Sequence, residues 1–247
     1  MNAVGVIPAR WASIRFPGKV LADLNGKPVI QHVWQQAKKA VHLDEVVIAC
    51  DDQRVCGVCT RFGAKAVMTS PDHASGTDRI AEAVTEIAAD IVVNIQGDEP
   101  MIDPRVIDAL VQALKDEEDV PMATVVKRIT DPAQIGNPNV VKVVIDKKGV
   151  ALYFSRQAIP FNRDGRTPDA GTYLKHLGIY AYRKEFLTGF HALPHSSLEQ
   201  IEKLEQLRVL EAGYRIQTIE TDVETIGIDT PEDLERAARL LREGENG

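Results

Sequence analysis

The segment from Pro8 to Lys19, Pro-Ala-Arg-Trp-Ala-Ser-Ile-Arg-Phe-Pro-Gly-Lys, carries three cations, Arg10, Arg15 and Lys19, and no acid. The whole chain of 247 residues has a formal net charge of -7, so this local positive charge runs against its background. The segment directly follows the apolar run Val4-Gly5-Val6-Ile7. Cations and a glycine on a loop leaving a first strand are what a polyanion needs at the carboxyl edge of an α/β sheet. The loop is not a Walker A loop: Gly18-Lys19 is followed by Val20 rather than Ser or Thr, and Ser13 stands where the first glycine is needed. No Gly-x-Gly-x-x-Gly follows the first strand, which disfavours a dinucleotide oxidoreductase. What remains is a phosphate loop of another kind, with the charge to suit a nucleoside triphosphate.

Two acidic stretches are candidates for the other half of that chemistry. Asn94-Ile95-Gln96-Gly97-Asp98-Glu99-Pro100 falls where an apolar strand ends, and Gly227-Ile228-Asp229-Thr230-Pro231-Glu232-Asp233 falls at a strand-to-helix junction. Two carboxylates converging on phosphates suit Mg2+, which takes oxygen ligands and keeps some waters. Taken singly, Asp98 reads equally as a turn residue and Asp229 as a neighbour of the Thr230 cap. In Asp72-His73-Ala74-Ser75-Gly76-Thr77-Asp78-Arg79, small hydroxyl residues and a glycine at a helix start offer amides and hydroxyls, besides capping the helix. Tyr153-Phe154-Ser155-Arg156 and Arg163 supply guanidinium forks suited to a carboxylate. His176, in His-Leu-Gly-Ile-Tyr, reads on pattern alone as a hydrogen-bonded structural residue. From Ser197 to Arg208, Leu198, Ile201, Leu204 and Leu207 form a core-facing stripe. The acids between them read as a solvated face with i,i+4 pairs such as Glu199 with Lys203.

The elements that must position these residues alternate from the start. Strands are expected at Ala3 to Ile7, Glu45 to Cys50, Lys65 to Met68 and Ile91 to Ile95. Helices are expected at Pro28 to Ala40, Asp52 to Phe62 and Gly76 to Ala88, and from an Asp103 cap with Pro104 to about Leu114. This order predicts an α/β fold, a mostly parallel sheet with helices on both faces. Val140 to Asp146 and Val150 to Phe154 then read as a hairpin turning at Lys147-Lys148-Gly149. A strand at Leu177 to Tyr182, a helix from Leu198 to Ala212, a strand at Arg215 to Ile219 and a last helix from Thr230 to about Leu241 complete the pattern. The expectation is one domain over 1-247 with an inserted hairpin region at about 125-195, a candidate dimer surface.

Composition bounds the rest. The content is 44% hydrophobic and 26% charged, ordinary for a globular protein. The sequence pI near 5.4 argues against a general nucleic-acid binder. There is neither a signal-peptide pattern nor an apolar run near 18 residues, so a cytoplasmic protein with no membrane partner is expected. Cys50, Cys56 and Cys59 are expected to be free thiols; Cys56-Gly57-Val58-Cys59 has no second ligand pair at zinc spacing.

Taken together, these segments resemble the 3-deoxy-manno-octulosonate (Kdo) cytidylyltransferases, or CMP-Kdo synthetases. The matching stretches are Ile7-Pro8-Ala9-Arg10 with Ser13, Arg15 and Pro17-Gly18-Lys19; Asn25-Gly26-Lys27-Pro28; Ser75-Gly76-Thr77-Asp78-Arg79; and Gln96-Gly97-Asp98-Glu99-Pro100. They continue with Ala151 to Arg156, His176 to Tyr180, Leu204 to Arg208 and Asp229 to Asp233, in the family's order over nearly the full length.

The resemblance implies a nucleotide-diphospho-sugar transferase-like fold, CTP and an eight-carbon acid sugar as substrates, Mg2+ as cofactor and a homodimer. The reaction it implies gives CMP-Kdo and pyrophosphate for lipopolysaccharide synthesis. It implies phosphate contacts from Lys19 and Arg10, with Arg15 lining the same site, and Mg2+ on Asp98 and Asp229. It puts Pro8, Ala9, Ser75, Gly76 and Arg79 around the cytidine, and Gln96, Arg156, His176, Tyr180 and Glu205 on the sugar side. The tract Ile159 to Asp164 varies in this family, one branch of which uses 8-amino-3,8-dideoxy-octulosonate. A non-catalytic nucleotide-binding regulator on this fold is the third reading, and it predicts loss of the two acids.

Overall fold

The computed structural model describes residues 1-12, 16-73, 75-165 and 171-245. In chain order the elements are β1 (Ala3–Ala9), the short pair β2 (Asp23–Leu24) and β3 (Lys27–Pro28), α1 (Val29–Ala37), β4 (Glu45–Cys50), α2 (Gln53–Arg61), β5 (Lys65–Met68) and α3 (Gly76–Ala83). They continue with β6 (Ile91–Asn94), α4 (Pro104–Asp116), β7 (Met122–Arg128), β8 (Lys142–Ile145), β9 (Ala151–Ser155), β10 (Leu174–Arg183), α5 (Lys184–Gly189), α6 (Ser197–Glu202), α7 (Gln206–Glu211), β11 (Ile216–Glu220) and α8 (Pro231–Glu245). No helix among the described residues is long and apolar enough to cross a membrane.

The main sheet runs β11-β7-β10-β6-β1-β4-β5. The β1–β4, β1–β6, β4–β5 and β7–β11 pairs are parallel, and β10 alone runs antiparallel to its neighbours β6 and β7. Alternation along β1 divides the core. Ala3, Ile7 and Ala9 join one apolar cluster with Val33 of α1, Val55 of α2 and Leu110 of α4. Val4 and Val6 join the other, with Ile80 of α3, Leu187 of α5 and Leu207 of α7. Helices therefore cover both faces, and the carboxyl ends of β1, β4, β6, β7 and β11 share one edge.

Local chemistry starts and stops these helices as the residues dictate. Asp52 caps α2 through the Arg54 amide, and Asp103 caps α4 through the Arg105 amide with Pro104 following. Ser75 and Asp78 form a reciprocal capping box at α3. Among the described cysteines, Cys50 and Cys59 are buried free thiols and Cys56 is partly buried.

Three features differ from the sequence reading. Met122–Arg128, for which no element is expected, is an interior strand of the sheet. With β10 it brackets the excursion that carries the β8–β9 hairpin, which attaches to the start of β10 through Leu174↔Val143 and Lys175↔Lys142. The region 125-195 thus contains strands of the main sheet as well as the hairpin. The expected helix from Leu198 to Ala212 is two helices, because Lys203 turns into the left-handed region at φ 55 and its amide closes onto Glu199. The Glu199 side chain, expected to pair with Lys203, pairs instead with Arg208 through two bonds of 2.7 Å.

Candidate active site

The basic loop leaves β1 at Ala9 and re-enters regular structure in a single 3-10 turn at Lys19–Leu21. Gly18 takes φ +69 before that turn, a conformation open to glycine. The loop after β6 lies directly against its root: a Cβ on Gly97 would stand 2.6 Å from the Pro8 carbonyl oxygen, so only glycine allows this approach. The result is a cleft of about 390 Å³ whose described lining includes Pro8, Arg10, Lys19, Ser75, Gly76, Gln96 and Asp98.

At its edge the Lys19 ammonium donates to Asp98 Oδ2 at 2.6 Å and to Asp229 Oδ1 at 2.9 Å. A backbone bond from the Ile228 amide to the Asp98 carbonyl aligns the two acidic segments. Asp233 accepts from the amides of Asp229 and Thr230, fixing the turn into α8. Burial pulls the Lys19 pKa down, but Asp98 and Asp229 outweigh it and hold the ammonium above its ordinary value. A single cationic nitrogen touching both carboxylates shows that one cation can meet the pair. Such an all-oxygen set fits a hard divalent ion. Among the described residues no group of three or more His, Cys, Asp or Glu could hold a metal. The remaining ligands would thus come from phosphate and water. Beside Asp98, burial and then the Asp98 charge push Glu99 up to about 7, and its Oε2 has no partner.

A second cavity of about 480 Å³ adjoins the first and is lined by His176, Tyr180, Gln206, Lys175 and Glu224 among others. Gln96 joins the two, since its Nε2 donates to the Gly178 carbonyl at 2.8 Å. The pairing of β10 with β7 slips between Leu177 and Tyr180, which releases Gly178 from the ladder. His176 contacts the Thr124 hydroxyl through Nε2 at 2.9 Å, edge-on to Phe154 and beside Tyr180. Burial pushes its pKa down to about 3, so the imidazole is neutral at pH 7. The Tyr180 hydroxyl donates to Gln206 Oε1 at 3.3 Å, whereas the buried Gln206 Nε2 has no partner among the described residues. Lys175 and Lys127 share the Glu224 carboxylate at 2.6 and 2.8 Å, so this cluster at the cavity's rim carries one net positive charge.

Not every expected site residue reaches these spaces. Ala9 is fully buried behind the loop. Arg79 is also fully buried, bonded to Thr69 Oγ1 and the Ser70 carbonyl, so it supports the cleft from behind and does not line it. The Arg156 guanidinium is taken up by the carbonyls of Glu202, Pro138 and Lys203 and lines neither cavity. Glu205 accepts from Thr77 at the start of α3, and burial raises its pKa despite that bond. Arg15 lies outside the described residues. Gln206 and Lys175 carried no expectation; Gln206 follows Glu205 within a quoted motif, and its neighbours give no sequence sign that it is buried.

The larger groove of about 740 Å³ between α4, β7 and the segment after β11 holds none of the expected site residues. Its cations Arg128 and Arg105 are each paired with an acid, and Lys127 shares Glu224 with Lys175.

Comparison with known proteins places the chain in a family. The cytidylyltransferase family profile matches residues 4–240. A 3-deoxy-manno-octulosonate cytidylyltransferase of Solibacter usitatus is 54% identical over 97% of this chain and 94% of its own length. One from Syntrophobacter fumaroxidans is 52% identical over 98% of this chain and 97% of its own. A solved CMP:2-keto-3-deoxy-manno-octonic acid synthetase complexed with CTP superposes with a TM-score of 0.94 at 46% identity, covering 99% of this chain and 100% of the other. On the strength of these matches along almost its whole length, the chain belongs to the 3-deoxy-manno-octulosonate cytidylyltransferase family.

Proposed function

We propose that this protein transfers CMP from CTP to the anomeric hydroxyl of 3-deoxy-manno-octulosonate and releases pyrophosphate. The observation that carries this reading is the Lys19–Asp98–Asp229 cluster at the edge of a cleft lined by Arg10. These three residues and Arg10 supply what a phosphoryl-group transfer between an alcohol and a polyanion requires. Arg10 and Lys19 offset the charge of the triphosphate, and Arg15 belongs to the same loop. The Ser75–Gly76 start of α3 and the Pro8 root of the loop frame the nucleoside. Asp98 and Asp229 would hold Mg2+, which polarises phosphate oxygens and lowers the pKa of a bound hydroxyl when present.

The acid sugar occupies the adjoining cavity, where Tyr180, Gln206 and neutral His176 give hydrogen-bonding partners without added charge. The surplus positive charge of the Lys127–Glu224–Lys175 cluster favours its carboxylate. Gln96, on the wall between, orients the sugar toward the α-phosphorus. Attack by the anomeric oxygen forms the new P–O bond as the bond to pyrophosphate breaks, and the hydroxyl proton passes to water.

The protein works as a homodimer in the cytoplasm, with the β8–β9 hairpin and the tract after it as the dimer surface. Leu152 and Phe161 are exposed there. The regulator reading loses support from the presence of both acids on one lysine. Pyrophosphate release with CTP, Mg2+ and a panel of acid sugars tests the reading. Release with Kdo is the expected result. Release with the 8-amino analogue or a sialic acid alone moves the assignment to that sugar, and no release with any of them removes the enzyme reading.

A further inference from the structure

Two consecutive acids at the end of β4, Asp51 and Asp52, have no part in the chemistry above, yet both reach the basic loop through Trp11. The Trp11 amide donates to Asp51 Oδ1 at 2.9 Å, and the Trp11 carbonyl accepts from the Gly18 amide at 3.0 Å. Those two bonds fall next to Arg10 on one side and Lys19 on the other, so one residue pins the loop beside both of its cleft-lining cations. Arg10 and Ala12 line the cleft, whereas the Trp11 ring packs against the core behind it. A Cβ on Gly18 would stand 3.2 Å from that ring, and the Arg54 guanidinium lies over the ring, 3.8 Å from its centroid. Asp52 holds Arg54 there with bonds of 2.8 and 2.6 Å.

The charge arrangement tells the two acids apart. Asp52 is spent on Arg54 and on capping α2. Asp51 has a side chain only 10% exposed and stands behind a site for a polyanion, where a lone carboxylate would repel the ligand. Its second oxygen faces Arg79 NH2 at 3.4 Å. Arg79 is fixed by Thr69 and Ser70, and Thr69 is bonded back to the Cys50 carbonyl next to Asp51. The pair is therefore locally neutral and rigidly mounted on β4, and it turns its free acceptor toward a loop amide.

We propose that Asp51, backed by Arg79, is a positioning residue that acts through Trp11 to set where Arg10 and Lys19 meet the triphosphate. This rests on the nucleotide reading of the cleft. An error in placing reacting groups of about 1 Å can cost on the order of 100-fold in rate, so a tie this close to two phosphate contacts has a large effect.

The test uses the full-length protein and Asp51→Ala, Asp51→Asn and the double variant Asp51→Ala/Arg79→Met. Asp51→Ala removes the acceptor and is expected to raise KM for CTP roughly 10-fold or more, with KM for the acid sugar within about twofold of wild type. Asp51→Asn keeps an acceptor for the Trp11 amide and should recover most of the loss. A readout free of substrate comes from Trp34→Phe, which leaves Trp11 as the single tryptophan. In that background Asp51→Ala should shift Trp11 emission to the red and increase quenching by acrylamide, and Asp51→Asn should not. If Asp51→Ala does not fold, the double variant Asp51→Ala/Arg79→Met, which removes the buried cation together with its acid, carries the test with the same selective rise in KM for CTP.

Unchanged emission and unchanged KM for CTP in Asp51→Ala, or equal losses for both substrates in either variant, overturns the proposal. A wild-type protein with no turnover counts against the nucleotide reading, and the emission comparison still decides whether Asp51 holds the loop.

Discussion

The cleft beneath the basic loop and the cavity beside β10 share a wall at Gln96 and Gly178, yet they are built on opposite principles. The cleft gathers formal charges from distant parts of the chain: Lys19 meets acids 79 and 210 positions away. The cavity keeps charge at its rim and presents a neutral imidazole, a phenol and a buried amide. The first arrangement suits a ligand that brings several negative charges and exchanges its solvation for fixed cations. The second suits a hydroxyl-rich ligand with one charge, for which a partner left unpaired discriminates more sharply than a strong field.

Removing charge from the cleft is the strongest way to break the comparison. Asp98→Asn or Asp229→Asn is expected to lower turnover by roughly 100-fold or more with the melting temperature near wild type. Near-normal turnover in either variant takes that residue out of the reaction. Gly97→Ala attacks geometry instead of charge. Its Cβ has 2.6 Å to the Pro8 oxygen, so the loop root must shift. The expected cost is about 1–3 kcal/mol in stability, with at least a tenfold loss in kcat/KM for CTP. Chemical denaturation and steady-state kinetics on one preparation check both.

The smallest effect sharpens the neutral side. His176 has a folded pKa of about 3 against an ordinary value of 6.5, so the unfolded chain binds more protons between those values. Its contribution is intact above about pH 6.5 and is lost progressively as pH falls toward 3. His176→Gln should flatten the acid limb of the stability curve by at most about 1.4 kcal/mol per pH unit over that window. An acid limb of unchanged slope in denaturation curves from pH 7 to pH 4 would mean that the imidazole is already charged in the folded protein.

Much of the cleft can be read from residue types. The cations of the loop, the glycines beside it and the acids at strand ends have few other uses in that pattern, and parallel strands bring their carboxyl ends to one edge. Arg79 shows where this reading stops. Its place in Ser-Gly-Thr-Asp-Arg looks like a ligand contact, but one turn into α3 it points into the core and meets Thr69 and Asp51. Arg156 likewise has the right type for a carboxylate, and only the broken helix at Lys203 reveals that free backbone carbonyls claim it.

The cavity is harder to foresee because its properties come from burial, not from residue type. Nothing around Gln206 in sequence distinguishes a surface amide from one 4% exposed whose Nε2 finds no acceptor among the described residues. The interior strand Met122–Arg128 ends in Lys127-Arg128 and follows Glu117-Glu118-Asp119, so its apolar centre is short and flanked by charge. Its identity is fixed by pairing with β10 and β11, contacts that no local pattern carries.

The division of labour between the two spaces is most directly tested by measuring KM for CTP and KM for the acid sugar in parallel on Lys19→Met and Gln206→Leu. Lys19→Met is predicted to raise KM for CTP by roughly 10-fold or more and leave KM for the sugar within about twofold, and Gln206→Leu to do the reverse. If the two variants shift both constants together, or exchange their effects, the nucleotide and the sugar do not occupy the spaces assigned to them.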